Sequence, residues 1–265
     1  MSPSNYYLTQ NELARAIDSM SDRDLQVIAT LATVRFATTQ HLQRIVFTSG
    51  TLLSNIRVCN RVLARLHKLH VVAHLDRQFG GDRPGSNSYV YYLDRAGHII
   101  AQRQIGRSHK PWLPGGMFIR HILALTEVYA SCKEAELKGL FTIKQFEMEP
   151  ACWRKSSSMS HKYVKPDAYI ELAAGGYRYH YFIEMDMATE IGSRISEKLT
   201  QYIEYRATGR EQTAHAVFPG VRFLVPHERR RDQLQKIIKR LPEYDQKIFQ
   251  VALQSEVLLT LIGGL

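Results

Sequence analysis

At 265 residues, 45% apolar and 23% charged, the chain has the bulk of an ordinary globular protein with room for two modest domains. Its net charge of +10 favours polyanionic partners, and the excess lies early: residues 1–110 carry 14 Lys+Arg against 7 Asp+Glu, residues 111–265 carry 21 against 18. Cys59, Cys132 and Cys152 fit neither a metal-ligand spacing nor a disulfide framework, and no signal region or membrane-length apolar run appears, so a cytoplasmic protein without a membrane partner is expected.

Helices come first. Ser21 or Asp22 can cap one running through 25–34, with apolar residues at 25, 28, 31 and 34. Thr38 or Thr39 can cap a short second helix over 40–47, and a third runs from about Thr51 to His70. The third divides by face: Leu52, Ile56, Cys59, Leu63 and Leu66 on one side, Arg57, Arg61, Arg65 and Lys68 on the other. A solvated basic face is the plain alternative. Ser54, Asn55 and Arg57, however, stand where a helix N-terminus can reach base edges, and the later guanidinium groups suit phosphates. Residues 71–78 read as a strand bearing Arg77, 80–87 as a Gly-rich turn bearing Arg83, and 88–93 as the returning strand.

This helix–helix–helix–hairpin order resembles the winged helix-turn-helix family. The resemblance implies an α+β module holding duplex DNA through Ser54, Asn55, Arg57, Arg61, Arg65, Lys68, Arg77 and Arg83; a protein-interaction module is the other use of such a fold. A helix over 95–104 completes a domain spanning 1–104. Residues 105–116, with two prolines and paired glycines, read as a linker to a second domain over 117–265.

The second domain opens with an apolar helix over 117–137. Strands at 141–149, 164–172 and 177–186, a helix at 193–206, a strand at 216–225 and a helix at 228–241 follow, an α/β arrangement. Glu184 and Asp186, two apart on a strand, share a face, and Asp167 at the mouth of the paired strand can join them. Three converging carboxylates repel unless a cation or a basic side chain neutralises them, which marks a candidate divalent-metal site.

Pro166–Asp167 and Glu184, set around the Gly175–Gly176 turn, resemble the PD-(D/E)xK nuclease superfamily. The resemblance implies Mg²⁺ on Asp167 and Glu184, with Asp186 beside them, and a lysine at the attacking water. Asp186 stands where that lysine is expected, so Lys198 on the following helix is the candidate replacement. Catalysis would then rest on Glu184 and Lys198. Tyr202, one turn on, could contact the DNA backbone, and Glu127 could add a fourth carboxylate. The structural alternative pairs Glu184 and Asp186 with Lys198 or Arg194. Nearly the whole chain, through RVLARLHKLHVV, KPDAYIEL, FIEMDMATE and ISEKLTQYIEY, resembles the replication-relaxation family of plasmid and mobile-element proteins. That implies DNA binding with a role in plasmid replication or topology.

No phosphate-binding loop, nucleophile elbow or dinucleotide fingerprint appears, so no nucleotide cofactor is expected. His67, His70 and His74 have near-helical spacing but no carboxylate to complete a zinc site. The basic run at 228–231 reads as a solvated face or a second phosphate contact, and the apolar C-terminal stretch as a core element or an oligomer contact. Three functions remain: a non-catalytic replication or maintenance factor, a Mg²⁺-dependent endonuclease or nickase, and a transcriptional repressor whose second domain forms a homodimer. Mg²⁺ belongs only to the second; the other two need no cofactor.

Overall fold

Hydroxyl caps punctuate the N-terminal part of the chain. Helices α1 (Gln10–Asp18), α2 (Asp22–Val34) and α3 (Thr39–Val46) start after Thr9, Ser21 and Thr38, whose hydroxyls accept the third amide of each helix. The computed structural model describes residues 9–75, 89–106, 115–156, 163–188 and 190–263. Helix α1 is absent from the expected elements, although Thr9 and Glu12 form a full capping box. Strand β1 (Ala37–Thr38) precedes α3. Then come α4 (Leu52–Lys68), β2 (Val72–His74), β3 (Val90–Leu93), α5 (Arg95–Ile105) and α6 (Gly116–Leu137).

Strand β3 lies between β1 and β2, antiparallel to both. Val27, Ile28, Leu31, Leu42, Leu63, Leu66 and Ile100 are buried beneath these elements. Gly97 of α5 presses on the strand entry: a Cβ there would meet the Val71 carbonyl oxygen at 2.1 Å. The expected turn with Arg77 and Arg83, and most of the expected linker, lie outside the described residues.

The chain divides into compact units Met1–Ala130 and Ser131–Leu265, a division that falls inside α6. Specific bonds hold the N-terminal part of α6 in the first unit. The Thr126 hydroxyl donates to the Phe36 carbonyl at 2.7 Å, and Glu127 accepts from Arg44 at 2.7 Å.

The second unit contains β4 (Thr142–Met148), β5 (Arg154–Lys155), β6 (Tyr163–Val164), β7 (Ala168–Ala174), β8 (Tyr177–Met185), α7 (Gly192–Ala207) and α8 (Arg210–His215). After these come β9 (Gly220–Val225), α9 (Glu228–Ile238), α10 (Glu243–Gln246), β10 (Phe249–Leu253) and α11 (Val257–Ile262). Its main sheet runs β10-β9-β8-β7-β4 and is mixed: β4, β7 and β8 are antiparallel, while β8, β9 and β10 are parallel through helical crossovers. Gly175 and Gly176, at φ 57° and 83°, make the tight β7–β8 turn, with Ala174 opposite Tyr177.

One sheet face buries Phe182, Val221, Phe223 and Val251 against Ile195, Leu199 and Tyr202 of α7 and Leu234 of α9. The apolar C-terminal stretch supplies β10 and α11, with Val251 and Leu261 buried. It is part of this unit's core. Among the described residues, no helix is long and apolar enough to cross a membrane.

Candidate functional site

Side-chain alternation on β8 turns Phe182 and Glu184 to the helix-covered face, and Asp186 just beyond the strand follows them. Glu184 is 1% exposed, and both its oxygens are engaged. Lys198 Nζ donates to Oε2 at 2.7 Å, and the buried Tyr202 hydroxyl donates to Oε1. Lys198 and Tyr202 are one turn apart on α7, so a single helix face presents an ammonium and a phenol to one carboxylate.

Asp186 has a different partner. Arg230 of α9 donates to its Oδ2 from Nε at 2.9 Å and from Nη2 at 2.8 Å, and Nη2 also reaches the Glu190 carbonyl at 2.7 Å. Asp186 Oδ1 accepts from the Ala188 amide. The expected Lys198 pairing thus holds for Glu184, while for Asp186 Arg230 takes the place offered to Lys198 or Arg194, buried rather than part of a solvated basic face. The exposed-looking ERRR context hides it; the only hint is that a buried acid on β8 needs a cation from the neighbouring helix. Asp167 serves the backbone: its amide donates to Ile183 O at 3.0 Å, and its Oδ2 accepts from the Met185 amide at 2.7 Å.

Burial pushes the Glu184 carboxyl up to about 7, and the charge of Asp167 adds to this, against the pull of Lys198 and Tyr202. Burial also works against a charged Lys198, but Glu184, Asp167 and Glu190 outweigh it and hold the ammonium above its ordinary value. A charged lysine therefore remains beside a carboxyl that readily takes a proton.

This donor set does not fit the expected metal. A hard divalent cation needs several carboxylate or carbonyl lone pairs turned to one point. Here Lys198 and Tyr202 take Glu184, and Arg230 takes Asp186. Among the described residues, no three His, Cys, Asp or Glu side chains form a group able to hold a metal ion. The expected trio of Asp167, Glu184 and Asp186 is accordingly two separate ion pairs and a backbone clamp, because protein cations already supply the neutralisation.

Glu127 does not join them. It lies in the first unit and accepts from His41 Nε2 at 3.1 Å and from Arg44 at 2.7 Å. Tyr202, expected near a DNA backbone, is fully buried.

On α4, Arg57, Arg61 and Lys68 stand exposed, on the face opposite buried Cys59, Leu63 and Leu66. Three expectations change. Arg65, itself 41% exposed, forms an ion pair with Asp24, a fully buried carboxylate at the start of α2. Asn55 is turned to Gly50, accepting from its amide at 3.1 Å and donating to its carbonyl at 3.0 Å. Leu52 and Ile56, placed by periodicity on the buried side, are 67% and 37% exposed, since α4 begins before it meets the core. Ser54 is exposed, with its amide in the Thr51 cap.

The family model for replication-relaxation matches residues 28–221, most of the chain and parts of both units. The chain belongs to the replication-relaxation family. No curated protein matches it. A solved structure of the restriction endonuclease FokI is similar at 12% identity and a TM-score of 0.24, over 97% of this chain and 75% of that one. In this replication-relaxation protein, the matched span holds both the basic face of α4 and the Glu184–Lys198 pair.

Proposed function

We propose that this replication-relaxation protein is a duplex-DNA-binding factor acting in the replication, relaxation or maintenance of a plasmid or similar element. Its first unit is read as a winged helix-turn-helix, with α2, α3 and α4 as the helices and β1, β2 and β3 as the small sheet. Helix α4 would enter the major groove. One observation carries this reading: Arg57, Arg61 and Lys68 are exposed along a single face of a helix that has no Asp or Glu between Leu52 and Lys68. The second unit is read as a PD-(D/E)xK-like core whose acidic strand is locked by Lys198, Tyr202 and Arg230, and which serves to bind or position rather than cut.

The test is binding of the full chain to duplex DNA across a salt series. Arg57→Ala and Arg61→Ala should each weaken binding and lower the slope of log K against log salt by about 0.9. Slopes unchanged from the parent protein would refute the phosphate contacts. Supercoiled plasmid incubated with Mg²⁺ or Mn²⁺ should stay intact. Nicking that disappears in Asp167→Ala would replace this reading of the second unit with a metal nuclease.

A further inference from the structure

Helix α4 carries three ridges. Cys59, Leu63 and Leu66 face the core, and Arg57, Arg61 and Lys68 form the basic ridge. The third, Leu53–Ile56–Asn60, has the i, i+3, i+7 spacing of one helix face and is turned to solvent, with Leu53 68% and Ile56 37% exposed. Leu52, 67% exposed, adjoins it. Three large aliphatic side chains in the first turns of one helix are an unusual surface on a chain this charged, and they ask for an apolar partner.

The surroundings choose among partners. The ridge runs beside Arg57 and Arg61 on a helix without a carboxylate. A second copy of the same face would set like charges against one another, whereas a polyanion satisfies them. The partner must therefore be polyanionic and also present isolated apolar groups. The major groove of DNA does both, because the thymine 5-methyl projects there between phosphate backbones.

We propose that the first turns of α4 read thymine: Leu53, supported by Ile56, packs on 5-methyl groups, and Asn60 one turn later meets the adenine edge of a neighbouring A·T pair. A helix N-terminus is the part of a groove-bound helix nearest the bases, and an asparagine amide matches the donor and acceptor of adenine N6 and N7. The inference rests on the DNA-binding reading above and adds the base composition of the target.

The experiment uses the full chain and duplexes enriched for binding from a random pool, synthesised with thymine or with deoxyuridine, which lacks only the methyl. The parent protein should bind the deoxyuridine duplex about fourfold more weakly per contacted methyl. Leu53→Ala should bind both duplexes equally while keeping the parent salt slope. Parent binding indifferent to the methyl, full methyl sensitivity in Leu53→Ala, or a pool that enriches no sequence would each overturn the proposal and leave DNA binding standing. A parent protein that binds neither duplex would overturn the DNA-binding reading itself. If Leu53→Ala turns a sedimenting dimer into a monomer and methyl discrimination is absent, the ridge belongs to a second copy and the proposal fails.

Discussion

A buried carboxylate survives in a protein core only with its lone pairs satisfied and its charge answered, and Glu184 shows what that demands of its neighbours. Lys198 and Tyr202 answer it from α7, as Arg230 answers Asp186 from α9. Removing one partner leaves the other stranded. At pH 8, where Glu184 is ionised, Lys198→Met should therefore destabilise the second unit by roughly 3–5 kcal/mol, and the Lys198→Met, Glu184→Gln double variant should recover much of that loss. Urea denaturation of the three proteins checks this; a double variant no more stable than the single one would mean that Lys198 packs rather than pairs. The pair was partly legible, because a strand acid and a helix lysine in this order invite pairing. Arg230 was not, since nothing local distinguishes it from Arg229 or Arg231, and only the approach of α9 buries it.

Among elements, α4 and α5 show how a helix is fixed by what lies beneath it. Gly97 of α5 sits on the Val71 carbonyl with no room for a Cβ. Gly97→Ala should thus lose roughly 1–3 kcal/mol to overpacking, more than the helix-propensity gain of about 1 kcal/mol. A denaturation midpoint at or above the parent value would show that the close approach relaxes freely. Helix α4 is tied to α2 by Arg65, which answers the buried Asp24. Arg65→Ala, which removes the counter-charge of buried Asp24, should lower stability by about 1–3 kcal/mol, whereas Arg57→Ala should leave it nearly unchanged. Thermal unfolding separates the two; equal effects would remove the distinction between a structural and a ligand-facing arginine. Periodicity placed both on one basic face, because a helical wheel registers angle and not what waits on the other side.

Across the whole molecule, the two units carry carboxylates perturbed in opposite directions. Burial would raise Glu127, but His41 and Arg44 overcome it and hold that carboxyl at about 2, with solvent on its open half screening the interaction. The stability it contributes is present above the ordinary value of 4.5 and is lost as pH falls through about 2. Glu184, raised to about 7, behaves inversely: folded, it holds its proton more tightly than the unfolded chain does. Its contribution is full below 4.5 and is lost as pH rises through about 7. Stability of the second unit, followed by hydrogen exchange in β8, should therefore fall between these limits, and Glu184→Gln should flatten the fall. A slope that persists in the variant would assign it to another group.

The main helices and strands and the identity of the key acids were written in the sequence, whereas the short elements α1, β1, α8 and α10 were not read from it. Capping residues, apolar periodicity, the Gly175–Gly176 turn and the family motifs act over short stretches of chain, so they fix helices, strands and the strand acids locally. Of the partners of those acids, Lys198 for Glu184 was among the sequence's own alternatives; the others belonged to tertiary structure alone. Asp186 meets Arg230 44 residues away, Glu127 meets His41 86 residues away, and α6 divides between two units. Burial and counter-charge depend on which surfaces fold together. The same three carboxylates that, read along the chain, could hold a metal become, once α7 and α9 close on β8, carboxylates already satisfied by the protein's own donors.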